Sequence, residues 1–375
     1  MSGVPLIDVQ AQRSRLGAQI DARIAAVVQH GKFIMGPEVG EFESALETFI
    51  DDDQVTALGC SNGTDALVLA FQALGLKPGQ AVICPAFTFI ATAESVAVLG
   101  GVPVFADVEP EGFNLSADSV RSAAKVAAEQ GLEVVGIIAV DLFGVPADYQ
   151  ALNAVGNELG AWVLADAAQS IGGSHDGKKI GALTTVTTAS FFPAKPLGCY
   201  GDGGAVFTTD PELAEIIKSL RVHGKGTDKY DNVRIGQNSR LDTIQAAVLL
   251  PKLSVLDSEL DARQRVADLY AEGLAGVVET PKLPAGARSA WAQYTILTED
   301  RPKLQAALNE AGIGNAVYYP KPLHQQSGYQ HYHLDQIDLA HTDRLTSRVL
   351  SLPMYPYLED TQIEQVIETV KAALQ

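Results

Sequence analysis

The segment Trp162-Val163-Leu164-Ala165-Asp166-Ala167-Ala168-Gln169-Ser170 shows how this chain is built, because a short apolar run ends on a carboxylate. A run of this length and character is typical of a buried strand. In open α/β sheets, ligands bind beyond the carboxyl ends of the strands, so Asp166 is a candidate ligand-binding residue, and Gln169 could reach the same ligand. Asp166 could equally cap the next element, and the segment alone leaves both interpretations open.

The same pattern recurs through the first two thirds of the chain, where short apolar runs alternate with amphipathic helical patterns. The predicted strands are residues 55–58, 81–84, 102–106, 134–140, 162–165, 187–192 and 205–208. Strands that alternate with helices predict an α/β fold with a mostly parallel sheet. We therefore expect a large α/β domain over residues 1–253.

The character of the sequence changes near residue 254. A helical pattern runs to residue 276, a helix begins near Pro302, and residues 315–319 are strand-like. A last helix begins at Thr361, where Thr361 and Glu364 have the spacing of a capping box. We expect residues 254–375 to form a smaller α+β domain, with a ligand cleft between the two domains.

The charge balance excludes two classes of partner. The 375 residues include 27 Lys+Arg and 45 Asp+Glu, which gives a net charge of −18. Nucleic acids and anionic membrane surfaces both attract basic surfaces, so we expect neither as a partner. The three cysteines and the histidines lack metal-binding spacings, and no signal peptide or membrane-length apolar run is visible. We expect a cytoplasmic protein without a metal.

The segment 59–67 (Gly-Cys-Ser-Asn-Gly-Thr-Asp-Ala-Leu) connects a predicted strand to a predicted helix. Three interpretations are open. The free N–H groups at the helix start, near Gly63 and Thr64, could bind a phosphate. The Gly-x-Ser-x-Gly spacing also matches the nucleophile elbow of α/β-hydrolases, with Ser61 as the nucleophile. Ser61 or Asn62 could simply cap the helix.

The segment 190–198 (Ser-Phe-Phe-Pro-Ala-Lys-Pro-Leu-Gly) contains one charged residue, Lys195, among apolar, proline and glycine residues. A partly desolvated ammonium has a lowered pKa and becomes an amine nucleophile, so Schiff-base chemistry is one interpretation of this segment. The alternative is a lysine whose stem covers an apolar loop while its charge reaches water.

Two further segments contain candidate binding residues. Arg240 lies at the start of a predicted helix, where a cation is unfavourable unless an anion compensates it, so it could bind an anion. The segment 318–324 (Tyr-Tyr-Pro-Lys-Pro-Leu-His) forms a stiff loop with two prolines. Core packing of its tyrosines is the alternative to ligand binding.

Taken in order, these segments resemble the pyridoxal-phosphate aminotransferases of fold type I, and more narrowly the DegT-type sugar aminotransferases. The resemblance covers nearly the whole chain. It joins the turn at 59–67, the strand-end Asp166, Ser190 five residues before Lys195, and the segment 238–243 (Asn-Ser-Arg-Leu-Asp-Thr). It implies a large sheet domain with a smaller C-terminal domain, and pyridoxal 5′-phosphate as the cofactor.

The resemblance also implies roles for residues around the cofactor ring. Lys195 would bind the cofactor covalently as a Schiff base and move the proton during the reaction. Asp166 would keep the pyridine nitrogen protonated, which makes the ring an electron sink. Gln169 would hydrogen-bond the ring oxygen, and Phe89 would stack on the ring face.

Other implied roles concern the cofactor phosphate and the substrate. Gly63, Thr64 and Ser190 would hold the phosphate, and Asn238 would reach the phosphate of a neighbouring subunit, so a homodimer with shared active sites is expected. The residues implied on the substrate side are Arg240, Tyr318, Tyr319 and His324.

The implied reaction is transamination of a nucleotide-linked keto-sugar with L-glutamate as the donor, in surface polysaccharide or lipopolysaccharide synthesis. Segments 191–202 and 236–243 are most similar to those of enzymes acting on UDP-2-acetamido-2-deoxy-3-oxo-D-glucuronate. A 3- or 4-keto-6-deoxy sugar is the alternative substrate, and UDP and dTDP both remain open as carriers. A serine hydrolase using Ser61 and a non-catalytic regulator are more distant alternatives, disfavoured because neither a His-Gly-Gly oxyanion segment nor a basic stripe is present.

Overall fold

The strands form one large and two small sheets in the computed structural model, which describes residues 3–228 and 230–375. In chain order they are β1 (Thr56–Cys60), β2 (Ala81–Pro85), β3 (Val102–Ala106), β4 (Val134–Val140), β5 (Trp162–Asp166), β6 (Ser174–His175), β7 (Lys178–Lys179), β8 (Val186–Ser190), β9 (Gly204–Thr208), β10 (Ala287–Arg288), β11 (Tyr294–Leu297) and β12 (Val349–Leu352). Each of the predicted strands of the first two thirds is present, with ends shifted by at most two residues.

The large sheet has seven strands in the order β1-β9-β8-β5-β4-β2-β3. Neighbours from β8 to β3 pair in parallel, whereas β9 runs antiparallel to both β8 and β1. The predicted mostly parallel sheet is therefore confirmed. Its consequence for the site is that β1, β2, β4, β5 and β8 all end at the same edge, so that the segments following them meet there.

The helices cover the large sheet and build the C-terminal part. They are α1 (Val9–His30), α2 (Pro37–Ile50), α3 (Gly63–Ala73), α4 (Ala91–Ala97), α5 (Ala117–Glu129), α6 (Tyr149–Leu159), α7 (Pro211–Leu220), α8 (Thr243–Leu253), α9 (Leu256–Gly273), α10 (Arg301–Glu310), α11 (Ala340–Arg348) and α12 (Asp360–Leu374). Asp210 caps α7, and Pro211 lies in its first turn, where a proline needs no hydrogen-bond partner for its nitrogen.

One predicted strand of the C-terminal part is wrong. Residues 315–319 make only an isolated bridge, in which Ala316 exchanges two backbone hydrogen bonds with Ser351. Beyond that point Pro320 and Pro322 lack the N–H groups that a ladder needs, and the chain turns toward the large sheet. The small sheet is formed instead by β11 and β12, which the sequence analysis did not identify.

The predicted cap of the last helix is also wrong. The helix begins at Asp360, and the capping box consists of Glu359 and Gln362 rather than Thr361 and Glu364. Glu and Gln can form these reciprocal backbone contacts as Thr and Glu do, so spacing alone did not distinguish two registers that differ by two residues.

Two large apolar cores, and a small cluster of Leu16, Ile20 and Val248, stabilise the described part of the chain. The first surrounds the large sheet and also includes Leu256 and Leu260 of α9, while the second lies in the C-terminal part and also includes Val4. An N-terminal residue therefore packs in the C-terminal core, and residues of α9 pack in the core of the large sheet. The division into domains at residues 253 and 254 stays a prediction.

Candidate active site

A cavity of about 700 Å³ opens at the carboxyl edge of the large sheet. Its walls come from the segments that follow β1, β2, β4, β5 and β8, and from C-terminal residues around Gln293 and Tyr319. The predicted site residues that line it are Gly63, Thr64, Phe89, Asp166, Gln169, Ser190, Lys195, Tyr318 and Tyr319. The tertiary structure thus places most of the predicted residues around one space.

Lys195 lines this cavity from the turn that follows β8. Its backbone N–H donates to the carbonyl of Phe192 at 2.8 Å, which tightens the turn. Protein atoms surround the side chain, and this loss of hydration lowers the pKa of the Lys195 ammonium to about 8, although the Asp166 carboxylate partly opposes the shift. The amine therefore loses its proton more readily than that of an exposed lysine, and it can act as a nucleophile or a base.

Asp166 ends β5 and is 5% exposed. Burial raises the pKa of its carboxyl group. Three neighbours oppose this increase: the backbone N–H of Ala168, the hydroxyl of Thr92, and the charge of Lys195. The hydrogen bonds measure 3.2 Å from Ala168 and 3.0 Å from Thr92 Oγ1. Asp166 thus receives a local backbone hydrogen bond and also faces the cavity.

The turn between β1 and α3 presents a helix N-terminus to the cavity. Asn62 caps α3, because its side chain accepts from the N–H of Asp65 at 2.8 Å. A Cβ atom on Gly63 would lie 2.7 Å from the Cβ of Ser190, so only glycine lets β8 approach the helix start this closely. The free N–H groups of the first helical turn can receive an anion here.

Ser61 has partners that do not suit a nucleophile elbow. Its hydroxyl donates to the carboxylate of Asp65 and lies 2.9 Å from the hydroxyl of Ser239. Among the described residues no histidine contacts Ser61, so its hydroxyl lacks the imidazole base of a catalytic triad. The serine-hydrolase alternative is not supported.

An aromatic wall and an oriented amide complete the cavity. Phe89 is 55% exposed, and its ring centroid lies 6.1 Å from that of Tyr319. The Gln169 side chain accepts from the backbone N–H of Phe143 at 2.5 Å and hydrogen-bonds the Tyr319 hydroxyl. Because its oxygen is engaged, the amide has a defined orientation at the cavity wall.

Three predicted site residues lie outside the lining of this chain's own cavity. Asn238 is exposed, and Arg240, which makes no ion pair within the described part of the chain, is absent from the cavity wall. His324 is buried beside α11, where its Nε2 lies 3.3 Å from the Asp343 carboxylate, and burial lowers its pKa. In this chain alone, His324 therefore supports the loop that carries the tyrosines and does not line the cavity.

Two residues of the site were missed by the sequence analysis. Thr92 is buried in α4 and contacts Asp166, and Gln293 lines the cavity just before β11. Thr92 lies in an alanine-rich helix and Gln293 beside apolar residues, so neither has a local signal. Only the packing of distant segments identifies them.

This arrangement of residues belongs to a chain that is similar to known proteins. The model of the DegT/DnrJ/EryC1/StrS aminotransferase family matches residues 14–371. The chain belongs to this family. It is a pyridoxal-phosphate-dependent aminotransferase, and the predicted fold type, enzyme class and cofactor are confirmed.

Individual members of the family are similar over nearly their full length. A UDP-2-acetamido-2-deoxy-3-oxo-D-glucuronate aminotransferase of Pseudomonas aeruginosa is 43% identical over 362 residues, which are 96% of this chain and 98% of that protein. A family aminotransferase of Brucella abortus superposes with a TM-score of 0.96 at 48% identity, covering 98% and 99% of the two chains. NtdA of Bacillus subtilis, solved with bound cofactor PMP, gives 0.90 at 31% identity, covering 100% and 86%.

The part of the chain that the structure describes contains neither a metal-binding cluster nor a membrane-spanning helix. Among residues 3–228 and 230–375, no His, Cys, Asp or Glu side chains are grouped so that three or more could bind a metal ion. In the same part of the chain, the helices are too short or too polar to cross a bilayer.

Proposed function

We propose that this aminotransferase transfers the amino group of L-glutamate to a keto-sugar carried on a nucleotide, and that its substrate is UDP-2-acetamido-2-deoxy-3-oxo-D-glucuronate. The observation that carries the proposal is the cavity in which the Lys195 amine, the Asp166 carboxylate and the start of α3 meet. The 43% identity to an aminotransferase named for that substrate supports the choice of sugar. Cytoplasmic synthesis of a surface polysaccharide is the corresponding cellular role.

The residues of the cavity fit pyridoxal phosphate. The start of α3, with Gly63 and Thr64, would hold the phosphate together with the Ser190 hydroxyl. Asp166 would face the pyridine nitrogen, and Gln169 would donate from its amide nitrogen to the ring oxygen. When bound, pyridoxal phosphate supplies an aldehyde that captures amines and a ring that withdraws electrons from them.

Lys195 would serve as both attachment point and proton carrier. Because its pKa is lowered to about 8, the side chain can hold a proton or give one up near neutral pH. Asp166, which accepts hydrogen bonds from Thr92 and Ala168, would present its carboxylate to the pyridine nitrogen and favour the protonated ring. Phe89 would cover one face of the ring and exclude water from it.

The volume of the cavity supports a substrate larger than an amino acid. About 700 Å³ lies at the upper part of the range for small-molecule sites, so it exceeds what the cofactor alone requires. Tyr318 and Tyr319 belong to the cavity wall that the C-terminal part of the chain contributes, and they would contact the sugar. The walls here contain aromatic rings and amides, which suit a hydroxylated ring.

We also propose that the active unit is a homodimer. Among the described residues that line the cavity, Lys195 is the one basic side chain, beside the acidic Asp65, Asp166 and Asp202. A cofactor phosphate and a nucleotide diphosphate need more cationic and hydrogen-bonding groups than this. Asn238 and Arg240 of a second copy would supply them.

The function is tested by half-reactions. Addition of L-glutamate to the purified protein, loaded with pyridoxal phosphate, should change its visible absorbance. Addition of the keto-sugar should then restore the original absorbance. A panel of UDP- and dTDP-linked 3-keto and 4-keto sugars, with products identified by mass spectrometry, selects the substrate. Turnover of 4-keto sugars alone would contradict the proposed sugar, although not the enzyme class.

The role of Lys195 has a separate test. Borohydride should fix the cofactor on the peptide that contains Lys195, and Lys195→Ala should abolish both half-reactions. Lys179→Ala is the control, because this lysine lies in β7, outside the cavity lining, and should leave both half-reactions unchanged. Labelling of another lysine in the wild-type protein would refute the assignment.

A further inference from the structure

The turn that carries Lys195 is held from behind by α8. Lys252 of that helix is 3% exposed, and its Nζ donates to the carbonyl oxygen of Gly198 at 2.6 Å. The same Nζ lies 4.6 Å from the centroid of the Tyr200 ring. A buried ammonium is costly to desolvate, so one that donates to a particular carbonyl fixes the position of that carbonyl.

A second side chain of α8 holds the same turn. Gln245 lies two helical turns before Lys252 and therefore on the same face. Its Oε1 accepts from the N–H of Tyr200 at 2.9 Å, and its Nε2 donates to the carbonyl of Tyr200 at 3.2 Å. Together the two side chains bind three backbone groups between residues 198 and 200.

The turn transmits this restraint to Lys195. The N–H of Cys199 donates to the carbonyl of Phe191 at 2.8 Å, and the N–H of Lys195 donates to that of Phe192 at the same distance. A Cβ atom on Gly198 would lie 2.5 Å from the carbonyl oxygen of Pro193, so the two limbs of the turn are in contact. Movement of Gly198 would therefore displace the backbone near Pro193, which leads to Lys195.

Lys252 is itself supported by α9. The carboxylate of Glu259 favours its charged form, although burial dominates and lowers the Lys252 pKa to about 8. Glu259 is in turn held by Gln12 of α1, whose Nε2 donates to both carboxylate oxygens at 2.9 Å, and by the Tyr357 hydroxyl. Lys252, which holds the turn, thus belongs to a group of interacting side chains outside the cavity.

We propose that Lys252 is a positioning residue for Lys195. Its ammonium, with Gln245 beside it, holds the 198–200 backbone so that the Lys195 amine stays in its desolvated place in the cavity. This inference rests on the proposed role of Lys195, which the borohydride experiment tests separately. Lys252 would touch neither cofactor nor substrate.

The test measures Lys195 in the cofactor-free protein. Labelling by trinitrobenzenesulfonate, followed by peptide mass spectrometry across a pH series, gives the midpoint at which the Lys195 amine becomes reactive. In Lys252→Met we expect the midpoint to rise by about one unit, a tenfold change, since a loosened turn lets water reach the ammonium. Lys252→Arg, which keeps charge and donors, should restore most of the wild-type midpoint.

Gln245→Met separates positioning from charge. This variant removes two hydrogen bonds and no charge, so it should raise the Lys195 midpoint in the same direction. In both variants, the affinity for pyridoxal phosphate should fall by about tenfold. The affinity for inorganic phosphate should be unchanged, because the start of α3 is not altered.

Lys179→Met is the matched control. Lys179 Nζ donates to the carbonyl of Phe49 at 2.6 Å and lies 3.8 Å from the Phe49 ring centroid, so it makes the same two contacts away from the cavity. It should leave the Lys195 midpoint unchanged. An unchanged midpoint in both α8 variants would overturn the proposal, as would a shift in Lys252→Met without one in Gln245→Met. If Lys252→Met does not fold, Gln245→Met decides alone.

Discussion

At the scale of single residues, the site depends on how opposing influences set two pKa values. Burial raises the Asp166 pKa, and burial lowers that of Lys195, so each group is shifted toward its neutral form. Each also stabilises the charge of the other. The hydrogen bond from Thr92 further stabilises the ionised form of Asp166. A single substitution at Thr92 can remove this contact without altering either charged group.

Thr92→Val should move the acid limb of the kcat/KM profile to higher pH. Removing a hydrogen bond to the ionised carboxylate raises the Asp166 pKa further, so the active form appears only at higher pH. The measurement is the pH dependence of the L-glutamate half-reaction. Thr92→Ser should retain the wild-type profile.

Thr184→Val is the control for the loss of a buried hydroxyl. Thr184 Oγ1 donates to the carbonyl of Val186 at 2.8 Å, outside the cavity lining, so its loss should cost stability of about 1 kcal/mol without moving the profile. If the pH profiles of Thr92→Val and Thr184→Val were the same, Thr92 would contribute to stability and not to the ionisation of Asp166.

At the scale of elements, the close approach of β8 to α3 forms the proposed phosphate site. Gly63 begins α3, and Ser190 ends β8. Their contact brings a hydroxyl and the free N–H groups of a helix into one place. The sequence analysis identified both residues separately, but the contact between them arises from strand order in the sheet.

Gly63→Ala should weaken binding of inorganic phosphate to the cofactor-free protein on the order of tenfold, because the added Cβ pushes the helix start away from Ser190. Overpacking should also lower the free energy of unfolding by about 1–3 kcal/mol. Calorimetric titration and urea unfolding measure the two effects.

Gly40→Ala provides the comparison within a helix. Gly40 lies in α2, and a Cβ atom there would meet nothing within 4 Å. This variant should gain up to about 1 kcal/mol in helix stability and bind phosphate normally. A similar loss of phosphate affinity in both variants would contradict the steric explanation.

At the scale of the whole molecule, the net charge of −18 opposes anionic ligands. Attraction must therefore be local, and Arg240 and Lys321 do not line the cavity of the same chain. Exposed apolar residues lie on the chain segments next to Asn238 and Arg240: Phe33, Ile34, Met35, Val233 and Ile235. These exposed apolar residues, together with a cation-poor cavity, are the physical basis of the proposed dimer.

Ile235→Asp should shift the protein from dimer to monomer and weaken cofactor binding. Ile235 is 92% exposed, so the substitution disturbs no contact of the single chain and a carboxylate there opposes burial in an interface. Light scattering after gel filtration gives the mass. Val98→Asp, at a residue 64% exposed at the end of α4, should stay dimeric. A monomeric wild-type protein with full activity would refute the dimer.

Local sequence was sufficient for the features that depend on neighbours along the chain. The seven predicted strands follow from short apolar runs, and the cap of α7 by Asp210 from hydrogen bonds within a few residues. At the start of α3 the sequence left Ser61 and Asn62 both open as the cap, and the structure shows that Asn62 is the cap. The roles proposed for Lys195 and Asp166 came from motifs in a defined order. Where two local solutions had similar energy, as at the cap of α12, the sequence pattern selected the wrong one.

Only the tertiary structure decided which distant residues share the cavity. Thr92, Gln293 and the restraint by Lys252 depend on contacts between segments that sequence spacing does not relate. The strand expected at 315–319 did not form, because only Ala316 pairs with a described residue of another segment, Ser351. Burial and pairing are properties of the packed chain, whereas caps and periodicity are properties of a few consecutive residues.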